Sequence, residues 1–320
     1  MPDQPAEPDH LVDDEFADVA ELASRLGVDH PLRPSRLIAA APHRNSRVSA
    51  IRWSSGAGRN GDPATAATAP DASAVFLHGV GIEAHSFDAT ALALGTPSLA
   101  VDLPGHGRSA WRDDADYSAD AVAPDVLAAL EALAVPPGIL IGHSLGAIIA
   151  ARMAAIAPTR VTGLVLVDMS PDFTQRAVDR IVRSLESEPD FADVDEVVAR
   201  SRALGLGGDH AALVRDAVHS TVVGPAGRRI RRHHFPHLAD GVAADVGRFV
   251  DAWADLDALD VPVLLVRGDR GYVSPRLVRS FGDRMPQAEA VTVQARHVVQ
   301  TQAPLALADA IRRWRRAHDV

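Results

Sequence analysis

Residues 139–146 read Ile-Leu-Ile-Gly-His-Ser-Leu-Gly, and an apolar helix pattern follows from residue 145 to residue 157. A short apolar run that ends at a glycine is typical of a strand buried on both faces. The serine lies between Gly142 and Gly146, the arrangement of a sharp turn from a strand into a helix. This stretch therefore predicts an α/β protein in which a buried strand leads directly into a helix.

The same alternation of strand and helix continues on both sides of this turn. Further strands are predicted at 47–53, 75–77, 99–101, 163–167, 261–266 and 290–293. Helices are predicted at 16–27, 86–95, 119–134, 275–285 and 304–317. Short apolar strands separated by helices predict the fold class: a mostly parallel sheet flanked by helices.

Composition divides the chain into three parts. Residues 1–46 are predicted to form an N-terminal arm and helix, and residues 47–170 and 256–320 the α/β core, with a loop at 54–73. Residues 171–255 are polar and rich in helix pattern, with two possible strands at 220–223 and 229–235. A long excursion between two sheet strands predicts a helical cap or lid, although helices without a role at the site are the alternative.

Charge and composition exclude several functions. The 320 residues include 32 Lys and Arg and 42 Asp and Glu, for a net charge of −10. This balance argues against a nucleic-acid partner. The chain has no cysteine, which excludes thiol catalysis and thiolate metal sites. No apolar run is long enough for a membrane span, and the acidic start does not resemble a signal peptide, so a cytoplasmic location is expected.

The turn at Ser144 also predicts chemistry. A strand-to-helix turn of this kind exposes the serine hydroxyl at the start of a helix, which favours negative charge nearby. The backbone N–H of Leu145 can then stabilise an oxyanion, and a second N–H is expected from Val80 in the loop after an earlier strand. Ser144 is therefore the candidate nucleophile.

A basic run in the cap segment allows two interpretations. The run consists of Arg228, Arg229, Arg231, Arg232, His233, His234 and His237. Solvent-exposed charge is the simpler interpretation, and attraction of an anionic substrate is the other. Neighbouring histidines on an extended segment point to opposite faces, so we expect no metal site here or elsewhere.

The chain resembles the α/β-hydrolase-fold superfamily of esterases, lipases and C–C hydrolases. The resemblance rests on His78–Gly81, on the turn from Asp102 to Ser109, on the Gly142–Gly146 elbow and on His297 after the last strand. It implies that His297 is the general base for Ser144, because the family's catalytic histidine occupies this kind of loop.

The acid of the implied triad is less well defined. The family commonly places Asp in a Gly-x-x-Asp pattern after the penultimate strand, where this sequence has Gly268 and then Gly271. Some relatives place the acid after the strand that follows the elbow helix, where this sequence has Asp168. We therefore favour Asp168, with Asp269 as the alternative acid and the absence of any acid as a third possibility.

The resemblance implies a serine hydrolase that needs no cofactor and acts on a small-molecule ester, thioester or lactone through an acyl-enzyme. A C–C bond hydrolase with the same triad is one alternative. A slow or non-catalytic ligand-binding receptor of the same fold is another. The oligomeric state is left open.

Overall fold

The computed structural model describes residues 15–40, 47–55, 72–188, 190–204, 206 and 208–320. Residues 1–14 of the predicted N-terminal arm and most of the predicted loop at 54–73 lie outside the described residues. The described residues form an α/β sandwich around one main sheet.

The main sheet contains eight strands in the described part of the chain, in the order β1-β2-β4-β3-β5-β6-β9-β10. Their bounds are β1 Arg33–Ala40, β2 Arg47–Ser54, β3 Ala74–Leu77, β4 Ser98–Asp102, β5 Gly138–His143, β6 Val161–Val167, β9 Val263–Gly268 and β10 Glu289–Val293. Strand β2 runs antiparallel to both of its neighbours, and all other pairs are parallel. The predicted mostly parallel sheet is confirmed.

Alternating residues of the central strands face opposite sides of the sheet. In β3, Val75 and Leu77 join one apolar cluster, whereas Ala74 and Phe76 join the cluster on the other face. All four are buried. This alternation explains why the strands read as continuous apolar runs, since both faces are covered by helices.

Helices cover both faces. They are α1 Val19–Leu26, α2 Asp88–Leu94, α3 Ala119–Ala132, α4 Leu145–Ile156, α5 Gln175–Glu186, α6 Val194–Ala203, α7 His210–His219, α8 Ala252–Asp257, α9 Pro275–Arg284, α10 Val299–Gln302 and α11 Pro304–His318. Helix α11 packs against α2 on one face, and α4 packs against α3 and α8 on the other. Of the described helices, none has the length and apolar character needed to cross a bilayer.

The segment 171–255, here called the cap segment, contains α5, α6, α7 and a hairpin of β7 Thr221–Val223 and β8 Arg229–Arg231. Two features differ from the predicted division of the chain. Strand β1 adds an edge strand to the sheet within the segment predicted as arm and helix. Helix α8 crosses the predicted boundary at residue 255 and packs on α4.

The strand order brings the candidate residues to one edge of the sheet. The chain passes from β3 to β4 on one side and then to β5 on the other side of β3. In parallel sheets, ligands bind beyond the carboxyl ends of the strands at such a reversal of strand order. The loops after β3, β5, β6, β9 and β10 therefore converge on the same region.

Candidate active site

The backbone at Ser144 has a strained conformation. Its φ of 52° and ψ of −119° lie in a region that L-residues rarely adopt. The neighbouring glycines are needed for close approach: a Cβ at Gly142 would lie 2.5 Å from the nitrogen of Ala147, and one at Gly146 would lie 2.5 Å from the carbonyl oxygen of His78. The predicted elbow geometry is therefore present, with Ser144 between the end of β5 and the start of α4.

Val80 and Leu145, whose backbone N–H groups are the predicted oxyanion donors, line the same pocket as Ser144. Among the described residues, neither N–H has a hydrogen-bond acceptor, which leaves both available to a ligand. Gly79 brings the Val80 loop close to the elbow, because a Cβ there would lie 2.7 Å from Nδ1 of His143.

Buried histidines hold the Val80 loop in place. Burial lowers the pKa of His78 to about 4, so the ring is neutral at physiological pH. It donates from Nδ1 to the carbonyl oxygen of Gly79 and accepts at Nε2 from the N–H of Leu103, at 2.8 and 2.9 Å. His106 Nε2 accepts from the N–H of Gly81 at 3.1 Å. The turn after β4 therefore supports the loop after β3.

His297 and Asp168 are brought together. His297 Nδ1 donates to Asp168 Oδ2 at 2.8 Å, and the Asp168 side chain is fully buried. The same carboxylate accepts hydrogen bonds from the N–H groups of Gly268 and Tyr272, at 3.1 and 2.7 Å. Asp168 has a φ of 48°, which turns its side chain at the end of β6. Use of Nδ1 by the carboxylate leaves Nε2 of His297 for another partner.

Asp269, the alternative acid, faces elsewhere. Its carboxylate accepts a hydrogen bond from the N–H of Ala295 at 3.0 Å and lies 3.5 Å from Nε of Arg270, and the Asp269 side chain is 41% exposed. Gly271, where the family commonly has its acid, borders the carboxylate of Asp168 instead. A Cβ at Gly271 would lie 2.5 Å from Asp168 Cγ and would overlap both carboxylate oxygens. The Asp168 carboxyl group thus fills the space that a side chain at 271 would take.

Two further residues contact His297, and neither was assigned to direct catalysis from the sequence. His143 Nε2 donates to the His297 carbonyl oxygen at 3.0 Å, and burial holds the pKa of His143 well below its ordinary value. Tyr272 stacks on the His297 ring with centroids 3.9 Å apart. Only the position of Tyr272 after β9, next to Gly271, hinted at this contact.

The pocket in front of Ser144 is narrow and apolar. Ser144 is its only polar side chain among the described residues, and its other lining residues are Val80, Leu145, Met169, Phe173, Val178, Ile181, Val182, Val246 and Phe249. Helix α5 of the cap segment supplies three of them. The free volume is ≈ 10 Å³, about the room that one water needs. The cap segment therefore closes over the candidate nucleophile.

The basic run of the cap segment is partly buried, unlike the exposed run that the sequence favoured. Arg231 is buried, and its guanidinium Nε lies 2.6 Å from Glu188 Oε2. His234 Nδ1 lies 2.7 Å from the hydroxyl of Tyr117 and His237 Nε2 lies 3.0 Å from the Arg231 carbonyl oxygen. Within the described residues, no group of three or more His, Asp or Glu side chains is arranged to hold a metal ion.

The sheet order, the elbow at Ser144 and the histidine after the last strand are those of one protein class. The alpha/beta hydrolase family model matches residues 74–310. The chain belongs to this family and is a hydrolase.

Individual relatives agree with this assignment. Esterase Rv0045c of Mycobacterium tuberculosis is 33% identical over 308 residues, which are 93% of this chain and 95% of that protein. A crystal structure of the same esterase has a TM-score of 0.75 at 32% identity and covers 93% of this chain and 96% of the other. Lipase LipV of the same organism is 29% identical over 222 residues, 68% of this chain and 82% of the relative.

A more distant solved structure has the same fold. The crystal structure of E-2-(acetamidomethylene)succinate hydrolase has a TM-score of 0.72 at 22% identity and covers 88% of this chain and 99% of that chain.

Proposed function

We propose that this chain hydrolyses a small-molecule carboxylic ester, thioester or lactone through an acyl-enzyme formed on Ser144. His297 acts as general base and acid, and Asp168 orients it. The observation that carries the proposal is the 2.8 Å hydrogen bond between His297 Nδ1 and Asp168 Oδ2. It fixes the tautomer in which Nε2 is unprotonated and able to accept the serine proton.

The steps follow from this arrangement. Nε2 of His297 takes the hydroxyl proton as the Ser144 oxygen attacks the carbonyl carbon. The tetrahedral intermediate collapses, the carbon–oxygen or carbon–sulfur bond to the leaving group breaks, and His297 returns the proton to that group. A water molecule then attacks the acyl carbon with its proton passing to His297, and breakdown of the second intermediate releases the acid and restores Ser144.

Negative charge on the carbonyl oxygen is stabilised by the N–H groups of Val80 and Leu145. Both residues line the pocket that holds Ser144, and neither N–H group has an acceptor among the described residues. Donors that are already in place stabilise a developing oxyanion without reorganisation during the reaction. Loss of one such donor costs about 10²–10³ in kcat in comparable hydrolases.

The pocket supports a short, uncharged acyl group. All of its described lining apart from Ser144 is apolar, so a charged acyl group would lose its hydration without a partner. Its free volume of ≈ 10 Å³ is about that of one water, so the cap segment must move for any acyl group to enter, and a short chain requires the smallest movement. Two relatives carry the names esterase and lipase, which favours an ester over a carbon–carbon bond.

A series of p-nitrophenyl esters tests the proposal. We expect kcat/KM to be highest for acetate or butyrate, to fall for octanoate, and to be at least about tenfold lower for the charged hemisuccinate. Ser144→Ala should abolish turnover of every ester. Asp269→Asn, a matched change of a nearby exposed carboxylate, should keep kcat within about tenfold of wild type. Turnover by Ser144→Ala at the wild-type rate would contradict the proposal.

A further inference from the structure

A second cavity lies apart from the pocket of Ser144. Its volume is ≈ 320 Å³, within the range of small-molecule sites, and it shares no lining residue with the Ser144 pocket. One wall comes from the part of the protein outside the cap segment, here called the body, at Glu15, β1, Glu83–His85 and the turn after β4. The other wall comes from the cap segment between Val218 and Arg232. The second cavity thus lies between the cap segment and the body.

The body wall balances its own charges. Arg36 pairs with Glu15 and donates from Nη1 to Asp102 Oδ2 at 2.7 Å. Glu15 also lies 2.9 Å from Nε2 of His85. The remaining carboxyl group, Glu83, is buried, and burial raises its pKa to about 7, which reduces its negative charge near neutral pH. Little negative charge on this side is therefore left for the cap segment.

The cap wall carries a cation without a counter-ion. Arg229 is half-buried, and its guanidinium donates to neutral oxygens only: Thr221 Oγ1 at 2.7 Å, Val218 O at 3.3 Å and Thr221 O at 3.4 Å. No carboxylate pairs with it among the described residues. Burial and the charge of Arg232 lower the pKa of Arg229. A partly buried, unpaired cation is costly, and a bound anion would compensate it.

The same wall presents an apolar surface beside this cation. Val218, Val222 and Val223, here called the valine wall, line the second cavity. Val218 and Val223 are 44% and 53% exposed. A ligand that covers this surface would gain from burial of an apolar chain.

We propose that the second cavity binds a small carboxylate with a short apolar chain, which pairs with Arg229 and packs on the valine wall. A carboxylate suits the site better than a phosphate, because Arg229 already uses Nε and Nη2 on neutral protein oxygens and its single positive charge balances one negative charge, not two. The proposal does not depend on the mechanism at Ser144, since the two cavities share no lining residue.

Calorimetric titration with hexanoate at constant ionic strength tests the proposal, with hexanol and inorganic phosphate as probes of the chain and the charge alone. We expect saturable binding of hexanoate and binding of the other two that is at least about tenfold weaker. Absence of hexanoate binding, or equal binding of phosphate or hexanol, would overturn the assignment.

Three variants locate the binding. Arg229→Gln removes the cation and Val223→Glu places a negative charge beside the cavity, and each should weaken hexanoate binding by about tenfold or more. Arg228→Gln removes the same charge from a neighbour that does not line the cavity and should change binding by less than about twofold.

Thermal unfolding checks that each variant is folded. Val223→Glu remains informative if loss of the Arg229 bonds disturbs the hairpin. Unchanged binding in Arg229→Gln and Val223→Glu would place hexanoate elsewhere and refute the proposal, as would an equal loss in Arg228→Gln.

Discussion

We expect that the acid of the proposed triad can be moved from the end of β6 to the loop after β9. Asp168 has a φ of 48°, a conformation that glycine adopts easily. Gly271 lies outside the left-handed region, so an aspartate fits its backbone. We therefore expect Asp168→Asn and Asp168→Gly to lose activity, and the double change of Asp168→Gly with Gly271→Asp to recover part of it.

The expected loss and recovery of kcat follow from the positions of residues 168 and 271. Asparagine at 168 presents an amide in place of an oxygen that now binds His297, and the corresponding change in the type system of serine proteases lowers kcat about 10⁴-fold. A Cβ at Gly271 lies 2.5 Å from Asp168 Cγ. Because a C–C bond is about 1.5 Å long, the new carboxyl carbon can lie about 1 Å from the present one. A misplacement of about 1 Å costs about 10²-fold, so the double variant should regain about 10²-fold over Asp168→Gly.

Steady-state hydrolysis of p-nitrophenyl acetate measures kcat for each variant, with thermal unfolding as the check on folding. Gly271→Asp alone is the matched control, and its side chain overlaps the Asp168 carboxylate, so it should be impaired in both activity and stability. A folded double variant that is no more active than Asp168→Gly would refute the exchange. Near-wild-type kcat in Asp168→Asn would refute the role of Asp168 itself.

Three other changes have defined outcomes. Gly142→Ala should lower the free energy of unfolding by about 2 kcal/mol or more, because its Cβ would lie 2.5 Å from backbone atoms. Gly282→Ala, in open space on α9, should raise the free energy of unfolding by about 0.5–1 kcal/mol. Chemical denaturation measures both values, and equal effects of the two variants would contradict the packing argument. Phe249→Ala should raise the ratio of kcat/KM for the hexanoate ester to kcat/KM for the acetate ester about tenfold. Phe281→Ala, which removes a side chain buried outside the Ser144 pocket, should leave this ratio unchanged. An equal ratio in the two variants would exclude Phe249 from the acyl site. Burial alone would lower the pKa of His85, but nearby carboxylates raise this pKa from 6.5 to about 9. The stabilisation that protonated His85 contributes is therefore complete below pH 6.5 and is lost as the pH rises through 9. Chemical denaturation from pH 6 to pH 10 should show a decline in the free energy of unfolding that His85→Gln lacks, and a parallel decline in both proteins would contradict this role of His85.

The parts of the fold that could be predicted are those with a strong periodic signal. The strand and helix around Ser144 combine a buried apolar run, two glycines and an apolar helix, and each feature indicates the same turn. Strand β1 was not predicted because its sequence, Arg33–Ala40, contains Pro34 and mixes charged with small residues. It is an edge strand that depends on pairing with β2, and such tertiary pairing leaves little trace in local sequence.

The candidate site could also be predicted only in part from the sequence. Ser144 and His297 stand at recognisable points of the chain, after strands that the sequence indicates. The role of Gly271 is a matter of space, because its missing side chain makes room for the carboxylate of Asp168. The stacking of Tyr272 on His297 and the packing of α5 over the Ser144 pocket join segments far apart in sequence. Only tertiary structure reveals such contacts.

The most direct test of the central claim is covalent labelling of Ser144. The protein is treated with a fluorophosphonate and its intact mass and labelled peptide are measured by mass spectrometry, with Ser144→Ala as the control. An activated elbow serine predicts one adduct per chain, on Ser144, and loss of ester hydrolysis in proportion to labelling. Ester hydrolysis that persists in the fully labelled protein, or equal labelling of Ser144→Ala, would contradict a serine mechanism at this site.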